Sequence, residues 1–196
     1  MCCLQASHQG LTADQYKLEE KKLLYNTLHF QQNIDSYCNF KTKFVAQSKM
    51  PINSREEGLK MIAKLADFNT KHNWDKEIIA SRSQPLTPPG KGNKVIYHFE
   101  KRAIGSSIFG SKENIVDYYK QFQSAERFKG CVLYTNSPLK YADFEYSIVE
   151  EQGKFYLQRK ARLVPKLALP DPLVQKKLED SNKKTLQYVL KALTVN

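Results

Sequence analysis

At 196 residues the chain has the length of one large domain, enough to bury roughly 70% of the surface its unfolded form would expose. A hydrophobic fraction of 41%, a charged fraction of 26%, and 11 Tyr with 10 Phe exclude a disordered or low-complexity chain. Lys and Arg outnumber Asp and Glu by 31 to 20, a formal charge of +11 that favours anionic partners, but the basic residues form no long run of the kind found in nucleic-acid-binding arms. The four Cys, at positions 2, 3, 38 and 131, show neither metal-cage spacing nor a disulfide framework, which points to a reducing, cytoplasmic setting. No apolar run approaches the ~20 residues of a membrane span, and Met1-Cys2-Cys3-Leu4 does not open a secretory signal. A soluble protein is expected, with peripheral contact at a membrane as a further expectation.

Residues 1–11 read as a flexible tail, in which Cys2 and Cys3 are either unmodified or acylated. From Thr12, a suitable N-cap, the pattern Tyr16, Leu18, Leu23 and Leu24 predicts a short helix over about 12–29, although Leu23 to Phe30 equally fits a strand. Phe40, Phe44 and Val45 among polar neighbours predict a strand within 37–50, closed by Pro51. Ser54 and Glu57 have capping-box spacing, which predicts a helix that buries Leu59, Ile62, Leu65, Ala66 and Phe68 and leaves Lys60, Lys64 and Asp67 in water. After His72-Asn73-Trp74-Asp75 and Ile78-Ile79, the prolines and glycines between 85 and 92 make a loop.

From Lys94 onward strand signals dominate. Val95, Tyr97 and Phe99 alternate with Ile96, His98 and Glu100; runs at 115–122 and 128–135 follow, the second closed by Asn136-Ser137-Pro138. Phe144, Tyr146 and Ile148 alternate with Asp143, Glu145 and Ser147, and after Gln152-Gly153 the series Phe155, Leu157, Arg159, Ala161 and Leu163 completes a hairpin. From Leu169-Pro170 to the end, Val174, Leu178, Leu186, Val189 and Leu193 fall on one stripe of a long amphipathic helix. This order predicts an α+β fold: a single domain over 12–196 in which a curved antiparallel sheet wraps around the C-terminal helix, with room for an internal cavity between them.

Several short motifs in this order carry a family likeness. Asn73-Trp74-Asp75 follows a helix, and a strand ends in Lys101-Arg102. The apolar loop Ile104 to Phe109 comes next, then Ser111-Lys112-Glu113-Asn114-Ile115-Val116, and Leu169-Pro170 precedes the last helix. Over about residues 20–194 the chain resembles the StAR-related lipid-transfer (START) domain, within the wider helix-grip superfamily. Where that family carries Pro-Arg-Asp this chain has Lys112-Glu113-Asn114, and Tyr118 or Tyr119 stands at the place of its later Arg. The resemblance implies a helix-grip cavity holding a sterol, phospholipid, ceramide or similar amphiphile, transferred or sensed at membranes. It also implies that the loop at 104–109 lies over the cavity mouth.

On that reading the inward strand faces nominate Val95, Tyr97, Phe99, Phe144, Tyr146, Ile148, Phe155, Leu157, Arg159 and Leu163 as ligand-binding, with Leu178, Leu186 and Val189 from the helix. Most of these would equally fill a core. Arg159 interrupts an apolar phase, so it either clamps a phosphate or carboxylate headgroup, reaches water at the sheet end, or pairs with Glu145 or Glu150. Ile104, Ile108 and Phe109, on a Gly- and Ser-rich backbone, suit a lid or membrane loop as well as an ordinary connection. Lys166, Lys176, Lys177, Lys183 and Lys184 either meet anionic lipid headgroups transiently or form a solvated helix face.

Catalytic patterns are poor. His8, His29, His72 and His98 share no ligand spacing, no metal or cofactor is implied, and phosphate-loop, G-x-S-x-G and H-E-x-x-H motifs are missing. Cys131 reads as a small buried apolar residue. The expectation is a monomeric lipid-binding protein that is not an enzyme and binds no nucleic acid. Two alternatives remain: a basic nucleic-acid-binding domain, and a helix-grip enzyme acting on a hydrophobic substrate, which polar titratable groups converging in the interior would favour.

Overall fold

The computed structural model describes residues 38–67, 69–75, 78–85, 96–102, 115–135 and 139–194; for the strands at 78–85 and 96–102, and for 115–123, it gives backbone and register. The tail at 1–11, the helix expected over 12–29, Phe68, Val95, and the loop residues Ile104, Ile108 and Phe109 lie outside the described residues.

Strand β1 (Val45–Ile52) leads into helices α1 (Arg55–Ala66) and α2 (Lys71–Trp74). Strands β2 (Ile78–Pro85), β3 (Ile96–Arg102), β4 (Ile115–Ser124), β5 (Arg127–Thr135), β6 (Leu139–Glu151) and β7 (Lys154–Pro165) follow, and helix α3 (Asp171–Thr194) comes last. The strands form one antiparallel sheet in the order β1-β7-β6-β5-β4-β3-β2. Six strands therefore make a meander, and the first strand joins it beside the last. This is the α+β plan that the sequence predicts, a single sheet with a long C-terminal helix against it.

Local chemistry explains the element ends. Ser54 Oγ accepts from the Glu57 amide at 3.1 Å, and the Glu57 carboxylate accepts from the Asn53 amide at 2.7 Å, so the start of α1 is capped from both sides. Met61, Ile62, Leu65 and Ala66 are buried on the inner side of α1, whereas Leu59 is only half-buried. The β6–β7 hairpin turns through Gln152 and Gly153, both with positive φ, the backbone that a tight two-residue turn requires. Strand β1 starts later than expected and continues through Pro51 to Ile52. Pro51 is tolerated because β1 is an edge strand, where a missing N–H removes no necessary ladder bond.

All five predicted stripe residues of α3, Val174, Leu178, Leu186, Val189 and Leu193, are buried. They serve two apolar clusters. Val174 and Leu178 pack with Phe44, Ala46, Ala161 and Leu163. Leu186, Val189 and Leu193 pack with Met61, Ile62, Leu65, Phe128, Tyr146 and Leu157. At the far side, Tyr188 Oη donates to the buried Asp75 carboxylate at 3.0 Å, which ties α3 to the segment after α2.

The outer face of the sheet holds a correction. Cys38 and Cys131 are joined in a disulfide across 93 residues of sequence, with Cα atoms 5.5 Å apart. Cys131 is fully buried as expected of a small apolar residue, but it is a cross-link, so the cysteine spacing does not point to a reducing compartment. The segment before β1, expected as strand, instead crosses this outer face: Phe40 stacks on Tyr141 at 5.6 Å and lies 4.9 Å from the Arg162 guanidinium. Asp143 beneath it is buried and accepts from Arg162 through both oxygens, with Lys129 at 3.3 Å. Those hydrogen bonds to Asp143 hold the Arg162 pKa above its ordinary value.

Candidate functional site

Between the two apolar clusters lies one polar rung. Strand register sets it up: Ser48 on β1 faces Arg159 on β7, Arg159 faces Tyr146 on β6, and Tyr146 faces Phe128 on β5. Because side chains alternate across a sheet, these four share the inner face with Leu157, Ala161, Phe144 and Ile148. From the opposite side α3 contributes Asn182, fully buried and one helical turn from both Leu178 and Leu186.

The bonds within the rung are specific. Arg159 Nε donates to Tyr146 Oη at 3.1 Å, and its Nη1 donates to Asn182 Oδ1. Asn182 Nδ2 donates to Ser48 Oγ at 3.0 Å and to the Arg159 carbonyl at 3.1 Å. Asn182 thus uses both ends of its amide to hold the strand and the side chain of Arg159 together. The guanidinium also lies against two aromatic rings, 5.8 Å from the centroid of Phe144 and 5.6 Å from that of Tyr146. Of the alternatives the sequence left for Arg159, acid pairing is not realised: Glu145 pairs with Arg127, and Glu150 is an exposed residue with no bond to Arg159. It occupies the middle of β7 and not the sheet end, but it is half-buried, so contact with water remains open to it.

Phe144 and Phe128 meet edge to face at 5.7 Å, and Phe128 stacks on Tyr146 at 6.4 Å, giving the inner face an aromatic wall beside the rung. The ring of Phe144 lies across Gly130, where a Cβ would come within 2.4 Å of it. Among the other nominated residues, Leu157, Leu186 and Val189 belong to one apolar cluster and Leu163 and Leu178 to the other. Ile148 and Phe155 are half-buried in the same inward phase. Tyr97 and Phe99 lie on β3, with Phe99 paired to Tyr118. Asn182 and Ser48 are the members that sequence reading missed. The signal for Asn182 was present, since a polar residue in the apolar stripe of α3 is as anomalous as Arg159 in the apolar phase of β7.

No group of three or more His, Cys, Asp or Glu among the described residues could hold a metal ion, and no described helix is long and apolar enough to cross a membrane.

No family model and no curated protein matches the chain. Solved structures do. A START superfamily protein from Mycobacterium smegmatis aligns with a TM-score of 0.54 and 19% identity, over 76% of this chain and 93% of its own. The chain has the helix-grip fold of the START superfamily. A protein from Thermus thermophilus gives a TM-score of 0.51 at 11% identity, over 77% of this chain and 97% of that one. The helix-grip fold also extends to the di-domain ARO/CYC BexL from the BE-7585A biosynthetic pathway, with a TM-score of 0.56 at 7% identity; there the match covers 90% of this chain but 57% of the other. At such identities the likeness is one of fold.

Proposed function

We propose that this protein binds a lipid-like amphiphile between the inner face of its sheet and α3, and carries or senses it at anionic membrane surfaces. One observation supports this reading above the rest: between the two apolar clusters described on the inner face, Arg159, Tyr146, Asn182 and Ser48 form a polar rung beside an aromatic wall. A core that only had to be stable would do as well without it, because burying polar groups costs free energy even when they are paired. An apolar wall with a few placed polar groups is instead the usual make-up of a small-molecule site. Methylenes of the ligand would contribute about 0.8 kcal/mol each on burial. Outside, Leu167 in the segment before α3 and Leu173 in its first turn are exposed, near Lys166 and Lys176 in sequence, a combination suited to the headgroup region of an anionic bilayer.

The experiment is native mass spectrometry of the purified full chain, with organic extraction of the same sample. A co-purified lipid, or an adduct formed from a broad amphiphile panel, is the expected result; neither appearing would end the proposal.

A second reading, a helix-grip enzyme acting on a hydrophobic substrate, is favoured by one feature: Arg159 and Tyr146, both ionisable, meet inside the fold at 3.1 Å. BexL, named as an ARO/CYC protein, has the same fold. Turnover of an aromatic or polyketone substrate that is lost in Tyr146→Phe would favour this reading over simple binding.

A further inference from the structure

Arg159 is half-buried, and its guanidinium has no charged partner among the described residues. Its hydrogen bonds go to a phenol and an amide, both neutral, and no carboxylate among the described residues pairs with it. The other prominent arginine of the same strand shows the contrast: Arg162, on the outer face, is matched by both oxygens of Asp143. A guanidinium carries five N–H donors in a planar fork, and those not used by Tyr146 and Asn182 meet no acceptor among the described residues. Asn182 and Tyr146 fix the orientation of the fork, so little rotamer freedom remains to be lost when an anion arrives. Described inward positions on β1, β5, β6, β7 and α3 supply no second cation.

From this we infer that the ligand is a monoanionic amphiphile whose oxyanion, a carboxylate in the first instance, is bound by the Arg159 fork, with the apolar chain lying along Phe144 and Ile148. The inference rests on the proposed binding of an apolar ligand between sheet and α3. One guanidinium neutralises one negative charge, so a dianionic phosphate monoester would leave an uncompensated charge in an apolar interior. Two sources of a single negative oxyanion exist, the carboxylate of a free fatty acid and the phosphodiester of a phospholipid headgroup.

The test compares dissociation constants, by calorimetry on the delipidated full chain, for dodecanoate, dodecan-1-ol and a dodecyl methyl phosphodiester. The expected result is that the better of the two anions binds about 10- to 100-fold more tightly than the alcohol, the range of a charge-assisted hydrogen bond. Whichever anion binds more tightly identifies the source. In Arg159→Met this ratio should fall to near one while the alcohol still binds. Asn182→Asp is the second variant: it keeps the shape of the side chain, supplies the guanidinium with a carboxylate of its own, and should abolish the preference for anions in a chain that remains folded by circular dichroism. Equal binding of acid and alcohol by the unmodified protein overturns the inference but leaves the apolar-ligand reading intact. Binding of none of the three defeats that reading itself. An anion preference that survives both variants places the anion away from Arg159 and overturns the inference.

Discussion

Two glycines show how single positions shape the inner face. At Gly130 the missing side chain is the space over which the Phe144 ring lies; a Cβ there would sit 2.4 Å from the ring, too close for any aromatic to accommodate without moving. At Gly58 an added Cβ meets Ile52 Cδ1 at 2.8 Å and both Cδ1 and Cγ1 of Ile148 at 2.9 Å, so both side chains must rotate, but the helix gains from losing a glycine. Gly130→Ala should therefore cost about 1–3 kcal/mol, and Gly58→Ala less, because the helix gain offsets part of the clash. Denaturant midpoints check this, and equal costs would mean that Phe144 does not lie over Gly130. The same aromatic wall was partly legible in sequence, because strict alternation placed Phe144, Tyr146 and Ile148 on one face. Alternation reports the face and not the depth: Leu157 is fully buried, whereas Phe155, two residues away on the same face, is only half-buried. That difference depends on what α1 and α3 cover, which no single strand records.

Among the elements, α3 is the one that the rest of the fold is organised around. Its stripe touches both apolar clusters, its Gln175 donates to the Val45 carbonyl of β1 at 2.9 Å, and its Tyr188 holds Asp75. Tyr188→Phe removes a donor from a buried carboxylate and should destabilise the protein by about 1–2 kcal/mol, read from thermal or denaturant unfolding; an unchanged midpoint would mean the bond does not matter. The stripe of α3, the cap of α1 and the β6–β7 hairpin were readable because each depends on neighbours within a few residues. The start of β1 was not. Phe40 and Phe44 gave the segment a strand-like pattern, but Phe40 packs against Tyr141, about a hundred positions along the chain, on the opposite face of the sheet from Phe44.

At the scale of the whole molecule, the Cys38–Cys131 disulfide pins the segment before β1 to the outer face of β5. The pairing was invisible in the sequence because it depends on that segment crossing the sheet, and cysteine spacing carries no information about such a crossing. With a sequence separation of 93, the cross-link should stabilise the folded state by about 4–5 kcal/mol on the loop-closure estimate. The midpoint of unfolding should fall on adding a reductant, and Cys131→Ser should show the lower midpoint with no response to reductant. Identical midpoints with and without reductant would contradict the cross-link.

Whether an apolar ligand is held inside, between sheet and helix, is decided by adding a fatty acid with a nitroxide on its chain to protein with labelled Ile, Leu and Val methyl groups and recording the NMR signals that broaden. Ile148, Leu157, Leu186 and Val189, inside the fold, should broaden strongly, and a diamagnetic fatty acid should restore them. Broadening confined to Leu167 and Leu173 on the surface, with the interior methyls untouched, would mean that the ligand does not enter between sheet and helix.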